Sequence, residues 1–307
     1  MPWIFLSCQS IFYPLIEPAV SLPANNLLVY HSCDTRIKDC FDPMLHEIQM
    51  AYSEDGHDWT IWDELPQISG SVPDILIRDS VLYIYSLPEL HRLDLITGSW
   101  LPTIRARVFD DKGNMVIHVD PSPVLDENNN IVLFFLKGVP GIDPATCSMT
   151  ENSCTKEFLS ATELAGSKGA RFRIDRGIRT SVNLKGPGDF ASDPDVFQDP
   201  NGYVMYISRG QATHVYRSKT LQGSYVFEKE LTNTGGGVPA GYYHFNENMY
   251  WSFTSKHVAQ PWMQEIRMSE HPSLEDFPSF KTAILPVNRN APIMQASPGF
   301  WKEPIER

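Results

Sequence analysis

One pattern recurs five times along this chain. It consists of a small or acidic residue, a proline, a short apolar strand, a polar turn, and a second apolar strand rich in tyrosine and β-branched residues. The copies are IEPAVSLPANNLLVYHS from Ile16, SVPDILIRDSVLYIYS from Ser71, VDPSPVLDENNNIVLFF from Val119, SDPDVFQDPNGYVMYIS from Ser192 and GVPAGYYHFNENMYWSF from Gly237. Their prolines stand at 18, 73, 121, 194 and 239, so successive copies lie 55, 48, 73 and 45 residues apart. The long third step contains the segment bracketed by Cys147 and Cys154 and is read as carrying an insertion.

Turn chemistry makes each copy a hairpin: Asn-Asn, Arg-Asp, Glu-Asn-Asn-Asn, Asp-Pro-Asn-Gly and Asn-Glu-Asn separate the apolar runs. Further strand-like stretches follow each hairpin, among them EIQMAYSEDGHDWTIW, ELHRLDLITGSW, THVYRSKTLQGSYVFE and QEIRMSEHPSLEDF. About four strands per repeat of roughly 40–50 residues is the signature of a propeller blade. One blade cannot bury its own faces, whereas several arranged radially can, leaving a central channel. The expectation is an all-β chain: one five-bladed β-propeller over residues 16–307, preceded by an N-terminal segment, 1–15. The few helix-like windows, such as KEFLSATELAG, are short and fall in the insertion. SEDGHDW, from Ser53, resembles the Asp-box turn of sialidases, a tight Asp-Gly turn whose Trp packs between strands.

Composition narrows the partners. Of 307 residues 20% are charged and 42% hydrophobic, the balance of a folded protein. No run approaches the roughly 18 apolar residues of a membrane-spanning helix. A net charge of −12 argues against nucleic acid or an anionic membrane as the main partner and leaves neutral or cationic ligands open.

Cys33 and Cys40 bracket six residues, as do Cys147 and Cys154, all in polar segments. Two short-range disulfides are the natural inference, and they imply an oxidising compartment. Free thiols or a metal site are the alternatives, although structural zinc usually draws on tighter spacings. The remaining Cys8, in FLSCQS, resembles a lipoprotein lipobox, but the stretch before it is too short for a signal core. Export is expected, with membrane attachment only through a lipid on Cys8, and a monomer.

In a propeller the first strand of each blade lines the channel, so residues preceding the repeat prolines crowd one mouth. They are Glu17, Val72, Asp120, Asp193 and Val238, three of them carboxylates. Like charges sharing a partly desolvated pocket separate in pKa, the division of labour glycoside hydrolysis requires. Asp before Pro is also an ordinary turn residue.

These repeats resemble the five-bladed propeller glycosidases, the arabinanase and β-xylosidase family with its invertase and levansucrase relatives. VDPSPVLDENNNIVLFF is similar to that family's third-blade motif, which implies that Asp120 modulates the acid. SVPDILIRDSVLYIYS resembles the second-blade Ala-Pro-Asp motif, with Asp74 in place as a substrate contact, and RSKTLQGSY, from Arg217, resembles a blade-edge phrase. The resemblance implies a base in the first blade, where this chain has Glu17 (with Asp34 and Asp42 as alternatives), and a Glu acid in the fourth, where it has Asp193, then Asp195. Arg209, Tyr242 and Trp251 are further candidates for sugar contact, and His244, like His118, lies near a strand start as a candidate near a channel cation. No cofactor is required; a structural Ca²⁺ in the channel is left open. The expected function is a glycoside hydrolase acting on a poly- or oligosaccharide, with a non-catalytic glycan-binding propeller as the alternative.

Overall fold

A continuous apolar strand has to be covered on both faces. NLLVYHS, VLYIYS, IVLFFLK, GYVMYIS and MYWSF all read that way. The computed structural model describes residues 21–302 except 37–38, 41, 64, 87, 142, 211, 232–236, 260–262, 275–281 and 286–292. In it these segments form strands whose two faces enter different clusters. Leu27 and Val29 pack with Ile75, Leu82, Ile84 and Leu93, while Leu28 and Tyr30 pack with Ala240, Trp251 and Phe253. Ile131, Leu133 and Phe135 meet Leu76, Tyr83 and Tyr85, whereas Val132, Phe134 and Leu136 meet Val196, Met205 and Ile207. Val204 and Tyr206 join Tyr243 and Tyr250 in a further cluster. The period of two thus sends alternate side chains of one strand into two separate cores.

The described residues are almost wholly β, with one 3-10 turn at Pro43–Leu45. Two sheets are four-stranded antiparallel meanders, Asp74–Arg78 through Ser99–Arg105 and Ser192–Asp199 through Val226–Leu231. A seven-stranded sheet is built on His118–Leu125, Ile131–Lys137 and Cys154–Glu163. The nine-stranded sheet has two parts. Gly237–His244 leads one, and Ile293–Lys302 pairs with Asn26–Asp34 in the other; a single parallel residue pair, Gln264 with Met294, joins them. The strand on the inner side of Asn26–Asp34 therefore comes from the far end of the chain. Five inner strands, Asp74–Arg78, His118–Leu125, Ser192–Asp199, Gly237–His244 and Ile293–Lys302, contact one another in order, and the last contacts the first.

The repeat prolines explain how these inner strands begin. Proline has no N–H for a ladder, so it needs an edge or a bulge. Register shifts fall at Asp120-Pro121, Asp193-Pro194, Val238-Pro239 and Ser297-Pro298, while Val72-Pro73 immediately precedes its strand. The residue before each proline is left-handed: φ is 47° at Val72, 53° at Asp120, 50° at Asp193, 53° at Val238 and 53° at Ser297. For a β-branched valine this is an outlier. It is held by the neighbouring sheet, since the Val72 N–H donates to His31 Nδ1 (3.2 Å), Val238 to Ser208 Oγ (3.0 Å) and Ser297 to Ser255 Oγ (3.0 Å).

Both cysteine pairs are disulfides, Cys33–Cys40 and Cys147–Cys154. The Asp-Gly turn forms as read: Asp55 Oδ1 accepts from the His57 and Asp58 N–H groups, and the Trp59 ring lies edge-on to Phe253 and Phe300. The helix-like reading of KEFLSATELAG is overturned. Residues 154–163 are a strand, because Phe158, Leu159 and Ala161 are needed on opposite faces and tertiary burial overrides local propensity.

Close packing at the ring gives a direct test. A Cβ at Gly299 would lie 2.4 Å from Asp74 Oδ1 and 2.7 Å from its Cα, whereas nothing lies within 4 Å at Gly188. Gly299→Ala is expected to lower the unfolding free energy by about 1–3 kcal/mol, and Gly188→Ala to leave it nearly unchanged. Urea denaturation of both variants checks this.

Candidate functional site

The five left-handed residues, their prolines, and Asp74 and Asp195 line one small axial pocket with Val72, Asp120, Asp193, Val238 and Ser297 at its rim. Two residues after each left-handed position stand Asp74, Ser122, Asp195, Ala240 and Gly299. Of these, Asp74 and Asp195 line the pocket together with the left-handed residues, so four aspartates from three strands come together. The structure places Asp74, Asp120 and Asp193 together in this pocket. Glu17 lies outside the described residues. The fifth place in the ring is held by Ser297-Pro298, from a copy of the pattern that repeat reading missed.

Two linked groups make up the cluster. The Asp193 N–H donates to Asp120 Oδ2 (3.2 Å), and Ser192 Oγ donates to Asp193 Oδ2. Burial, then the charge of Asp193, pushes the Asp120 carboxyl well above the usual range. Burial raises Asp193 to about 6, against the opposing pull of Ser192. In the second group Asp74 and Asp195 both contact Ser122, whose Oγ accepts from the Val196 N–H (3.1 Å). Burial raises Asp195 to about 7, opposed by the Gly241 N–H that donates to its Oδ2 (2.7 Å). Burial, then Asp195, raises Asp74 strongly. At neutral pH such a set holds both protons and charges, so it can donate and accept. The space between the side chains is about 20 Å³, on the order of one water.

Other expected contacts lie elsewhere. Trp251 is 1% exposed and packs against Phe300, with the Lys302 ammonium over its ring; Tyr242 packs against both aromatics. Trp251 is therefore core and Tyr242 half-buried beside it, and neither lines the axial pocket. His244 sits at the far end of its strand from Val238-Pro239. Its Nδ1 accepts from the Glu247 N–H, and it stands against Trp251. No group of three or more His, Cys, Asp or Glu side chains suited to a metal occurs among the described residues, so the metal role of His244 has no support. Arg209 is not among the residues lining the axial pocket and is engaged by Asp189 (2.9 Å) and the Phe190 carbonyl (2.6 Å). His118 Nδ1 donates to the Val116 carbonyl (3.0 Å), its Nε2 has no hydrogen-bond partner among the described residues, and its ring lies edge-on to Phe135. Asp34 pairs with Arg36 and Asp42 caps Met44, so neither alternative base joins the ring.

Sequence reasoning missed Ser122, which joins Asp74 to Asp195, and His31, which holds Val72. It also missed Ser297-Pro298-Gly299. Its signal was present in ASPGF, a small residue and proline ahead of aromatics, but the second strand of that hairpin lies at the other end of the chain.

No protein-family model and no curated protein matches the sequence. Solved structures do match the fold. An endo-1,4-β-xylanase from Bacteroides thetaiotaomicron superposes with a TM-score of 0.52 at 13% identity, over 85% of this chain and 92% of that one. The GH43_1 enzyme from Xanthomonas citri, complexed with xylose, gives 0.54 at 13%, over 86% and 91%. A thermostable family-43 glycoside hydrolase gives 0.53 at 9%, over 80% and 88%. At these identities the likeness is one of fold.

The raised carboxyls tie stability to pH. Asp195 keeps its proton in the folded state up to about 7, while in the unfolded chain it ionises at the ordinary value of about 3.9. The folded state then binds more protons across that window, so stability falls as pH rises through it. Asp195→Asn is expected to raise the midpoint of thermal unfolding at pH 7.5 and to leave it unchanged at pH 4; scanning calorimetry at both values decides.

Proposed function

We propose that the chain is a five-bladed β-propeller that works on carbohydrate at its axial mouth, as a glycoside hydrolase acting on an oligo- or polysaccharide. The observation carrying this reading is the pairing of Asp193, raised to about 6, with Asp120, whose carboxylate accepts the Asp193 N–H. Asp193 is the proposed general acid: it retains a proton into the range where it can protonate a leaving oxygen. Asp120 is its proposed modulator: it accepts the Asp193 N–H, and the charge that Asp193 carries when ionised favours a proton on Asp120. Repeat phase in the sequence puts the base at Glu17, which lies outside the described residues. Among the described residues, Asp74 and Asp195, joined through Ser122, are the proposed carboxylates that take a proton from an attacking water. The likeness in fold to structures described as xylanase and as bound to xylose supports a sugar as the ligand class. Two disulfides support an exported protein.

A second reading, a propeller that binds glycans without cleaving them, is favoured by one observation. Ser297 stands where a first-blade carboxylate would stand, and the centre has room for about one water.

Turnover separates the two. Aryl glycosides and plant and microbial polysaccharides should include a substrate whose kcat falls about 100-fold or more in Asp193→Asn and in Asp120→Asn. Its wild-type rate should decline as pH rises above about 6, where Asp193 loses its proton. Binding with no turnover across the panel would select the second reading.

A further inference from the structure

A larger cavity, about 410 Å³, lies away from the axial pocket. It is bounded by the ends of Asn26–Asp34, Glu47–Ser53 and Ile293–Lys302, beside the Cys33–Cys40 disulfide. This is within the roughly 300–1,000 Å³ typical of small-molecule sites. Tyr30, Ser32, Asp34, Glu47, Gln49, Asp63 and Gln295 supply its polar lining, and no Lys or Arg is among the residues that line it.

Two of these side chains lack what buried polar groups ordinarily have. Tyr30 is 1% exposed, yet its hydroxyl makes no hydrogen bond to a described residue; its ring packs in the core while the residue lines the cavity. Gln295 Oε1 is buried and also without a partner. A buried polar group left unsatisfied is costly, so each such group in a folded protein calls for a ligand or water to complete it. Asp63 lies near enough to Tyr30 that its charge, after burial itself, pushes the phenol well above its usual range. Arg36 neutralises Asp34 at 2.7 Å, but Asp63 makes no ion pair with a described residue.

The cavity thus offers a phenol oxygen and a carboxylate. Both accept hydrogen bonds, and they sit in a chain of net charge −12. Among the described lining residues the charged groups are all carboxylates, which favours a cation over an anion. A primary ammonium has three donors and no acceptor, which complements this set. The remaining lining of Ser32, Gln49 and Glu47 offers mixed donors and acceptors suited to hydroxyl groups. We infer that this cavity, whose lining shares no residue with the axial pocket, is a binding site for an amino sugar whose protonated amine sits between Tyr30 and Asp63.

The site does not depend on hydrolysis at the axis, and calorimetric titration of the full chain tests it separately. The probes are the glucosamine trimer, its fully N-acetylated form and cellotriose, at pH 6 in low and high salt. The free-amine trimer is expected to bind, more weakly as salt rises, and the two uncharged trimers roughly tenfold or more weakly. Asp63→Asn, a change at an exposed residue, and Tyr30→Phe, which keeps the ring, should each weaken the free-amine trimer by roughly threefold to tenfold. Asp193→Asn should leave this binding unchanged while abolishing any turnover. Equal binding of all three trimers, no binding of any, or indifference to both cavity variants would overturn the assignment. Absence of turnover with this binding intact would count against the hydrolase alone.

Discussion

A proline that cannot donate to a ladder governs the centre of this molecule. Placed in or just before five inner strands, it comes with a bulge in four of them, and the residue before it turns left-handed at Val72, Asp120, Asp193, Val238 and Ser297. The residue before each proline, with Asp74 and Asp195 two positions further on, thereby lines one pocket. Five repetitions of a local backbone constraint are what bring aspartates more than a hundred residues apart in the chain to one small pocket. The strain of a left-handed valine, on the order of 1–3 kcal/mol, is offset by hydrogen bonds from the neighbouring sheet, such as Val72 to His31.

Charge at the axis follows from the same geometry. Asp120 and Asp193 are adjacent because the backbone N–H of one is capped by the carboxylate of the other. Asp74 and Asp195 share Ser122. Enclosed by prolines, these carboxyls lose hydration and hold protons at pH values where ordinary aspartates are charged. A site meant only to pack would be better served by apolar residues, and the neighbouring strands do use them at Val238 and Ala240.

Much of this was legible in the sequence because it is written in short-range terms. Turn residues, unbroken apolar runs and Asp-Pro at fixed phase announced the hairpins, and Asp74, Asp120 and Asp193 all reach the axis. What stayed hidden depends on contacts between distant segments. ASPGF gives no hairpin of its own, since its partner strand is Asn26–Asp34. Tyr242 and Trp251 look like a sugar platform in the sequence, whereas in the fold Phe300, from a distant segment, packs against a buried Trp251 and a half-buried Tyr242. KEFLSATELAG has helical residues but is needed as a strand with both faces covered. His244 sits in the right repeat but at the wrong end of its strand.

The central claim is that the axial aspartates hold protons near neutrality. Carbon-detected NMR titration of the aspartate carboxyls, assigned with Asp193→Asn and Asp195→Asn, reads this directly. The account predicts midpoints of about 6 for Asp193 and about 7 for Asp195. Titration of both at the ordinary aspartate value of about 3.9 would contradict it.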